Sequence, residues 1–87
     1  MNTITVSKEV LAQELAGETV LLDLASESYF GLDAVGTRVW QLLNEGVGEG
    51  ALVDTLLEEY EVEREVLARD ISELLGRLSE AGLIEIA

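Results

Sequence analysis

Apolar and polar residues follow the two-residue repeat of strands in the first part of the chain. Branched residues alternate over residues 3–7, which predicts a first strand. Two apolar runs, residues 19–24 and residues 29–32, are separated by a small polar segment at residues 25–28. That arrangement is typical of a hairpin with a short loop. Residues 10–17 fit either an extended connection or a short helical turn.

The spacing of apolar residues changes to that of helices after the hairpin. Asp33 is placed to cap a first helix, and Gly46 is placed to end it. Residues 49–60 predict a second helix. The apolar positions are Val35, Val39, Trp40, Leu42 and Leu43 in the first helix and Leu52, Val53, Leu56, Leu57 and Tyr60 in the second.

A third helix is predicted over residues 63–81 and has the clearest pattern of the three. Glutamate precedes arginine by four positions at 65 and 69 and again at 73 and 77, an orientation that stabilises helices. Gly82 can close this helix in the left-handed conformation, with Leu83 folding back onto the last turn and residues 83–86 continuing as a short extended tail. The apolar face contains Leu67, Ile71, Leu74 and Leu78.

This order predicts an α+β fold, in which a three-stranded antiparallel sheet is followed by three helices that cover one side of it. The topology is compatible with a winged helix. A chain of 87 residues has room for one small domain, so we expect residues 1–87 to form a single unit. A sheet this small leaves an edge strand with unpaired backbone groups, and that edge is either a liability or a binding site.

The composition excludes most catalytic chemistry. The chain contains no cysteine and no histidine, which removes disulfides, thiolate nucleophiles, imidazole bases and the usual zinc ligands. The neighbouring carboxylates Glu58 and Glu59, and also Glu63 and Glu65, lie on predicted helix surfaces without a glycine-rich or calcium-loop pattern around them. Solvated helix faces explain them better than acid–base or metal chemistry. We therefore expect no enzymatic activity, no metal and no cofactor.

The formal net charge of −13 disfavours nucleic acid as a partner. Affinity for phosphates needs clustered lysine and arginine, whereas the cationic residues here are scattered among carboxylates. A winged-helix DNA-binding domain would also need a basic recognition helix, but the predicted second helix carries acidic residues. The cations are Lys8, Arg38, Arg64, Arg69 and Arg77, and the acidic residues of the second helix include Asp54, Glu58 and Glu59.

Two further classes of protein can be weighed in the same way. An acyl-carrier-like protein is small and acidic, but its serine opens a helix, whereas Ser26 and Ser28 lie in the predicted hairpin region. A membrane protein would need about 20 consecutive apolar residues, and no stretch approaches that length. The N-terminal sequence MNTITVSKEV has neither a basic leader nor an apolar core of sufficient length, which predicts a cytoplasmic protein.

Four segments together resemble the PqqD family. They are VLLDL at residues 20–24, YFGL at residues 29–32, VGTRVWQLL at residues 35–43 and DISELLGRLSEAGLIE at residues 70–85. Each segment alone is a common apolar pattern, but their order, spacing and total length are specific. The chain looks most like the small stand-alone members of lasso-peptide biosynthesis, and the resemblance covers nearly all of it.

The resemblance implies a RiPP recognition element, a domain that binds the leader segment of a ribosomally made precursor peptide. The leader would add as a strand beside the third strand of the sheet and lie against the third helix. The implied partners are the precursor, a leader peptidase resembling cysteine proteases and a cyclase resembling asparagine synthetases. A similar recognition domain serves other peptide pathways, such as cofactor maturation or radical-enzyme systems. That alternative stays open, and so does a winged-helix interaction domain.

Mapping the family's binding mode onto this sequence gives nine candidate leader-binding residues. Gly31 would allow close backbone approach, and Asp70 would pair with a basic leader residue. Leu67 and Leu74 are also consistent with ordinary core positions, and Asp70 and Arg77 with a solvated flank. The strand edge would consist of Ser28, Tyr29, Phe30, Gly31 and Leu32, and the helical wall of Leu67, Asp70, Leu74 and Arg77.

Strand alternation places Phe30 and Tyr29 on opposite faces of the sheet, so only one of them borders a pocket, and the sequence leaves open which. Trp40 is predicted to pack in the core against the sheet. Asp23 is predicted to stabilise the turn rather than to contact the leader.

Overall fold

The computed structural model describes residues 3–87. This part of the chain contains five strands and three helices. They are β1 (Ile4–Val6), β2 (Val10–Leu15), β3 (Glu18–Asp23), β4 (Ser28–Leu32), α1 (Ala34–Asn44), α2 (Glu49–Glu59), α3 (Arg64–Glu80) and β5 (Ile84–Ile86). The predicted α+β class is confirmed, with a three-stranded antiparallel sheet followed by three helices.

The three-stranded sheet has the order β2–β3–β4 and is antiparallel throughout. Residues 10–17, which fit either an extended connection or a helical turn in the sequence, therefore form the strand β2 and the turn that leads to β3. The strand predicted at residues 3–7 exists as β1, but it lies outside this sheet and pairs with β5, Ile4 lying opposite Ile86. The partner of β1 lies at the other end of the chain, which a local pattern cannot indicate.

Both turns of the sheet use residues with positive φ angles. Between β2 and β3, Ala16 and Gly17 have φ values of 55° and 82°, as the central positions of a type I′ turn require. Between β3 and β4, the carboxylate of Asp23 accepts hydrogen bonds from the amide of Ala25 at 3.1 Å and the hydroxyl of Ser26 at 2.8 Å. The turn role predicted for Asp23 is confirmed.

The helix ends follow the sequence signals closely. Asp33 caps α1, because its Oδ1 accepts a hydrogen bond of 2.8 Å from the amide of Gly36. At the end of α3, Gly82 has a φ of 77° and Leu83 donates its amide to the carbonyl of Leu78 at 2.9 Å, which is the Schellman arrangement. None of the helices between residues 3 and 87 is both long enough and apolar enough to cross a bilayer.

One hydrophobic core lies between the inner face of the sheet and the helices. Trp40 is buried there, as predicted, with 6% of its surface exposed. The fully buried leucines and valine come from the sheet, from all three helices and from the segment before β5: Leu21, Val39, Leu52, Leu56, Leu75, Leu78 and Leu83. The core therefore joins every layer of the fold.

Ion pairs on the surface differ from the helical pairs that the sequence predicted. Among residues 3–87, the contacts within 4.0 Å involve Arg38, Arg64 and Arg69, and neither predicted pair on α3 is formed. Arg69 approaches the adjacent Asp70 instead, at 4.0 Å. Exposed pairs of this kind are worth at most about 1 kcal/mol, so the four-residue spacing favours the predicted pairs only weakly.

Candidate functional site

A groove of about 500 Å³ lies between β4 and α3. The strand β4 is at one side of its sheet and has β3 as its sheet neighbour among residues 3–87. Its second edge therefore carries backbone groups without a strand partner. The lining residues are Gly31 and Leu32 of β4, Asp33, Val35, Gly36 and Val39 around α1, Tyr60 and Val62 after α2, and Val66, Leu67, Asp70, Ile71, Glu73, Leu74 and Arg77 of α3.

The α3 side of the groove has an apolar floor and a charged rim. Leu67, Ile71 and Leu74 repeat at helical spacing and are nearly buried, with 5%, 2% and 8% of their surfaces exposed. Asp70, Glu73 and Arg77 are exposed beside them on the same helix. Leu67 and Leu74 thus belong to the core and also form the bottom of the groove, so the two interpretations of these residues are compatible.

On β4, the side chains alternate between the groove side and the outer face of the sheet. Phe30 lies opposite the fully buried Leu21 and is half-buried, and the guanidinium carbon of Arg77 is 5.9 Å from the centroid of its ring. Tyr29 lies opposite Leu22 on the other face and is 73% exposed. Of the two β4 aromatics, Phe30 is therefore the one on the helix side of the sheet, where it lies beside the groove residue Arg77 without lining the groove itself.

The remaining candidates on β4 contribute through their backbone. Ser28 and Tyr29 are not among the lining residues, so their side chains lie away from the groove that the strand borders. Gly31 does line the groove, and a Cβ atom built there would have no heavy atom within 4 Å. The surface over Gly31 is consequently open to an approaching backbone.

The N-terminus of α1 fixes the position of Leu32 at the base of the groove. A Cβ atom on Gly36 would lie 3.2 Å from both Leu32 Cδ2 and Asp33 Oδ1, closer than most real contacts. Glycine at this position lets the first turn of α1 approach the end of β4 while its amide is capped by Asp33. The Leu32 side chain is buried by this approach, with 5% of its surface exposed.

One end of the groove is apolar and exposed, a feature that the helical periodicity does not indicate. Val62 and Val66 are 46% and 39% exposed and lie beside Tyr60 among the lining residues. The signal in the sequence was two valines in the acidic stretch EYEVEREVL, where neither belongs to the main apolar face of α3. Exposed apolar residues that lie together along a groove are typical of a binding surface.

Charges on the rim are distributed unevenly along α3. Asp70 and Glu73 come first, and Arg77 follows about 10 Å after Asp70 at the helical rise of about 1.5 Å per residue. Arg77 contacts the Phe30 ring and, within residues 3–87, has no carboxylate within 4.0 Å. The groove therefore presents an acidic region and a separate cation to anything bound in it.

The pKa shifts lie outside the groove, where α1 meets α2. The Nε atom of Arg38 donates to Glu59 Oε1 at 2.9 Å, and its Nη2 donates to Oε2 at 3.0 Å. These hydrogen bonds lower the pKa of Glu59 and raise the pKa of Arg38. The Arg38–Glu59 pair links α1 to α2, and neither of its residues lines the groove.

Comparisons with known proteins agree with this architecture. A structure described as TbiB1 in complex with the TbiA(beta) leader peptide is 41% identical and has a TM-score of 0.88, covering 93% of this chain and 94% of that chain. A structure of lasso peptide synthetase B1 complexed with the leader peptide is 30% identical, with a TM-score of 0.85 and coverage of 95% and 98%. No curated protein matches the chain significantly.

The family comparison covers most of the chain. The model of the family described as coenzyme PQQ synthesis protein D (PqqD) matches residues 18–84, from the start of β3 to the first residue of β5. The match includes both walls of the groove. This chain belongs to the PqqD family.

Proposed function

We propose that this protein binds the leader segment of a ribosomally synthesised precursor peptide of the lasso type, in the groove between β4 and α3. One observation carries the proposal: an open strand edge and an apolar helical floor face each other across a single groove. Its similarity to TbiB1, whose structure contains a leader peptide, supports the assignment of this groove to a leader.

Recognition would proceed by strand addition to β4. In an antiparallel pair, alternate residues direct their N–H and C=O groups to opposite neighbours, so half of the residues in β4 have these groups available at the open edge. Main-chain hydrogen bonds at that edge accept many sequences, and the side chains that enter the groove provide selection. The strand β2 also has an open edge, but the groove lies at β4.

The two walls of the groove are matched in length. The five residues of β4 span about 16 Å at about 3.3 Å per residue. The stretch of α3 from Val66 to Arg77 also spans about 16 Å at about 1.5 Å per residue. A bound strand of about five residues would therefore match both walls in length.

Binding must offset the entropy lost by a disordered peptide. Ordering about five residues costs about 5–10 kcal/mol at about 1–2 kcal/mol for each. Each large apolar side chain that the groove buries contributes about 1.5–3 kcal/mol, so about three anchors are needed besides the backbone hydrogen bonds. The exposed valines Val62 and Val66 and the floor around Leu74 provide apolar contacts for such anchors.

We further propose that the protein catalyses no reaction itself and delivers the precursor to other proteins. The absence of cysteine and histidine from the sequence supports a binding role. The partners in this proposal are a leader peptidase resembling cysteine proteases and a cyclase resembling asparagine synthetases, acting in the cytoplasm where the precursor is made. A PqqD-like role in another peptide pathway is the alternative, since the family model itself is named for cofactor synthesis.

A titration tests the proposed function. The purified protein is added to a fluorescently labelled synthetic leader, taken from the short precursor gene beside its own, and anisotropy is followed. We expect saturable binding of the leader and none of a scrambled peptide of the same composition. Equal binding of both peptides would mean that the acidic surface attracts peptides without recognising sequence, and no binding of either would contradict the proposal.

A further inference from the structure

Two opposite charges on α3 line the groove without pairing with each other. Glu73 precedes Arg77 by four positions, the spacing and the order that favour an ion pair on a helix. Among residues 3–87, no carboxylate lies within 4.0 Å of the Arg77 guanidinium, and no lysine or arginine lies within that distance of the Glu73 carboxylate. Both side chains are exposed and line the groove, so both charges can interact with a bound peptide.

The two charges lie at different places along β4. The Arg77 guanidinium carbon is 5.9 Å from the centroid of the Phe30 ring, within the usual range of a cation–π contact. Glu73 lies about 6 Å earlier on α3 at about 1.5 Å per residue, and Asp70 precedes it. The groove is lined by Leu32 and not by Phe30, so the acidic residues before Arg77 lie toward the Leu32 end of the strand.

The hydrogen bonding of the sheet fixes which groups of β4 are available to an added strand. The amide of Leu24 donates to the carbonyl of Glu9 at 2.8 Å, and bonding alternates along a strand, so the even-numbered residues of β3 bond to β2. The odd-numbered residues of β3 therefore bond to the even-numbered residues of β4. The N–H and C=O groups of Tyr29 and Gly31 are left at the open edge.

This pattern also determines which side chains of an added strand point toward α3. Residues directly opposite each other share a face of the sheet, so the added residues opposite Phe30 and Leu32 lie on the helix side. These two added residues are about 7 Å apart at about 3.3 Å per residue, close to the separation of Glu73 and Arg77 along α3. One helical turn of α3 therefore matches two residues of a bound strand.

We propose that the groove selects a leader in which a lysine or arginine precedes an aspartate or glutamate by two positions. The basic residue lies opposite Leu32 and faces Glu73, with Asp70 nearby. The acidic residue lies opposite Phe30 and faces Arg77. A strand antiparallel to β4, as β3 is, meets Leu32 before Phe30, which sets the basic residue first. This inference rests on the proposed leader binding and assigns Glu73 and Arg77 as residues that determine its specificity.

The net charge of the protein cannot produce such a preference. A formal charge of −13 attracts any cationic peptide, whatever the order of its residues. A peptide in which the two charged residues are exchanged keeps its composition and its net charge. It would bring each charged side chain next to a like charge in the groove, which disfavours the exchanged order.

The experiment compares peptides and proteins in which only the order of charges differs. Anisotropy is followed with the labelled leader from the short precursor gene beside this gene, with the same leader after exchange of its two charged residues, and with a scrambled leader. The protein variant is Glu73→Arg with Arg77→Glu, which leaves the net charge unchanged. The matched control is Glu65→Arg with Arg69→Glu, the same exchange at exposed positions of α3 that do not line the groove. Urea denaturation verifies that both variants are folded.

The wild-type protein should bind the leader about 10-fold more tightly than the exchanged peptide, because two favourable ion pairs are replaced by two repulsive contacts. The groove variant should bind the exchanged peptide at least as tightly as the leader, and the control variant should keep the wild-type preference. The ratio of the two affinities is the readout, so a general loss of affinity after removal of the Arg77–Phe30 contact cancels. The preference should shrink in high salt, which screens exposed charges.

Several results would overturn the proposal. A leader that has no basic residue two positions before an acidic one would contradict it at once. Equal affinity of the wild-type protein for the leader and the exchanged peptide, both above the scrambled one, would refute the charge order and leave leader binding intact. A groove variant that keeps the wild-type preference would show that Glu73 and Arg77 do not set it. Failure of the leader to bind at all would contradict the proposed function itself.

Discussion

We expect individual side chains on the rim of the groove to determine which peptides it accepts. Asp70 and Glu73 present negative charge, and Arg77 presents positive charge close to the Phe30 ring. The predicted pair of Glu73 with Arg77 does not form among the described residues, so the Arg77 guanidinium is available to the groove. A leader with a basic residue near Asp70 and an acidic one toward Arg77 would match this distribution.

Charge reversal tests the acidic part of the rim. Asp70→Arg should weaken leader binding about 5-fold or more, because a lost surface ion pair is worth up to about 1 kcal/mol and the reversal adds repulsion. Anisotropy titration measures the change. The matched control is Glu58→Arg, which makes the same change in formal charge at an exposed position of α2 outside the groove. Equal losses of leader affinity in both variants would mean that the net charge of the protein, and not the position of Asp70, controls binding.

The exposed valines provide a test that separates binding from stability. Val66→Ser should weaken leader binding about 3-fold to 10-fold through lost apolar contact, with the free energy of unfolding changed by about 0.5 kcal/mol or less. Leu74→Ala, deeper in the same wall, should cost about 2–5 kcal/mol of stability. Urea denaturation gives the stabilities, and anisotropy gives the affinities. Unchanged leader binding by Val66→Ser would remove this end of the groove from the site.

The roles of single residues could be predicted from the sequence where each residue interacts with close neighbours along the chain. Asp23 in its turn, the Asp33 cap and Gly82 were predicted because each acts within a few residues of itself. The choice between Tyr29 and Phe30 was not predictable. Alternation puts them on opposite faces, but which face meets the helices depends on packing that involves α1 and α3.

At the scale of elements, the sheet is held by turns that the sequence only partly indicated. The β2–β3 turn places Ala16 at a φ of 55°, where a residue with a Cβ is strained and asparagine is better tolerated than alanine. The pair Ala–Gly in place of the usual Asn–Gly weakened the hairpin signal. In addition, most of β2 is exposed, so its residues lack the alternation of a half-buried strand.

This turn gives a prediction about stability. Ala16→Asn should raise the free energy of unfolding by about 0.5–1 kcal/mol, because it relieves the left-handed conformation without touching the core. Ala12→Asn, within the exposed strand β2, is the control and should not stabilise the protein. Urea denaturation midpoints measure both. A lower midpoint for Ala16→Asn than for wild type would contradict the assigned turn.

The contact between α1 and α2 gives a prediction about pH. The hydrogen bonds from Arg38 lower the pKa of Glu59 below its ordinary 4.5, so the folded state holds this proton more weakly than the unfolded state does. Stability from the pair is therefore present above pH 4.5 and is lost as the pH falls through the lowered pKa of Glu59.

A substitution isolates this effect from the other carboxylates. At pH 7 the wild-type protein should be more stable than Glu59→Gln, and the difference between them should shrink in strongly acidic buffer. Urea midpoints of both proteins across the acidic range provide the measurement. A difference that stays constant with pH would mean that the pair contributes through packing rather than through charge.

The pairing of the two chain ends is the element that local patterns could not predict. Both β1 and β5 were expected to be extended, and each is only three residues long. Neither pattern contains the register, which places Thr5 opposite Glu85 and depends on the whole core lying between the two strands in sequence. Long-range pairing of this kind is set by tertiary packing.

At the scale of the whole molecule, the groove lies at the β4 edge of a three-stranded sheet, where that edge meets α1 and α3. The fold class, the helices and most of the groove's helical wall follow from periodicity and from the resemblance to PqqD proteins. The groove itself did not follow from the sequence, because it depends on how far α3 lies from β4 and on the approach of α1 at Gly36. The formal net charge of −13 favours cationic partners.

Addition of the leader as a strand to β4 can be followed by amide hydrogen exchange. The exchange is measured by NMR on the labelled protein with and without saturating leader. We expect alternate amides of β4 to become protected when the leader binds, because they gain strand partners, while the amides at the open edge of β2 exchange as before. Saturable leader binding that protects β2, or that leaves every amide of β4 unchanged, would contradict it.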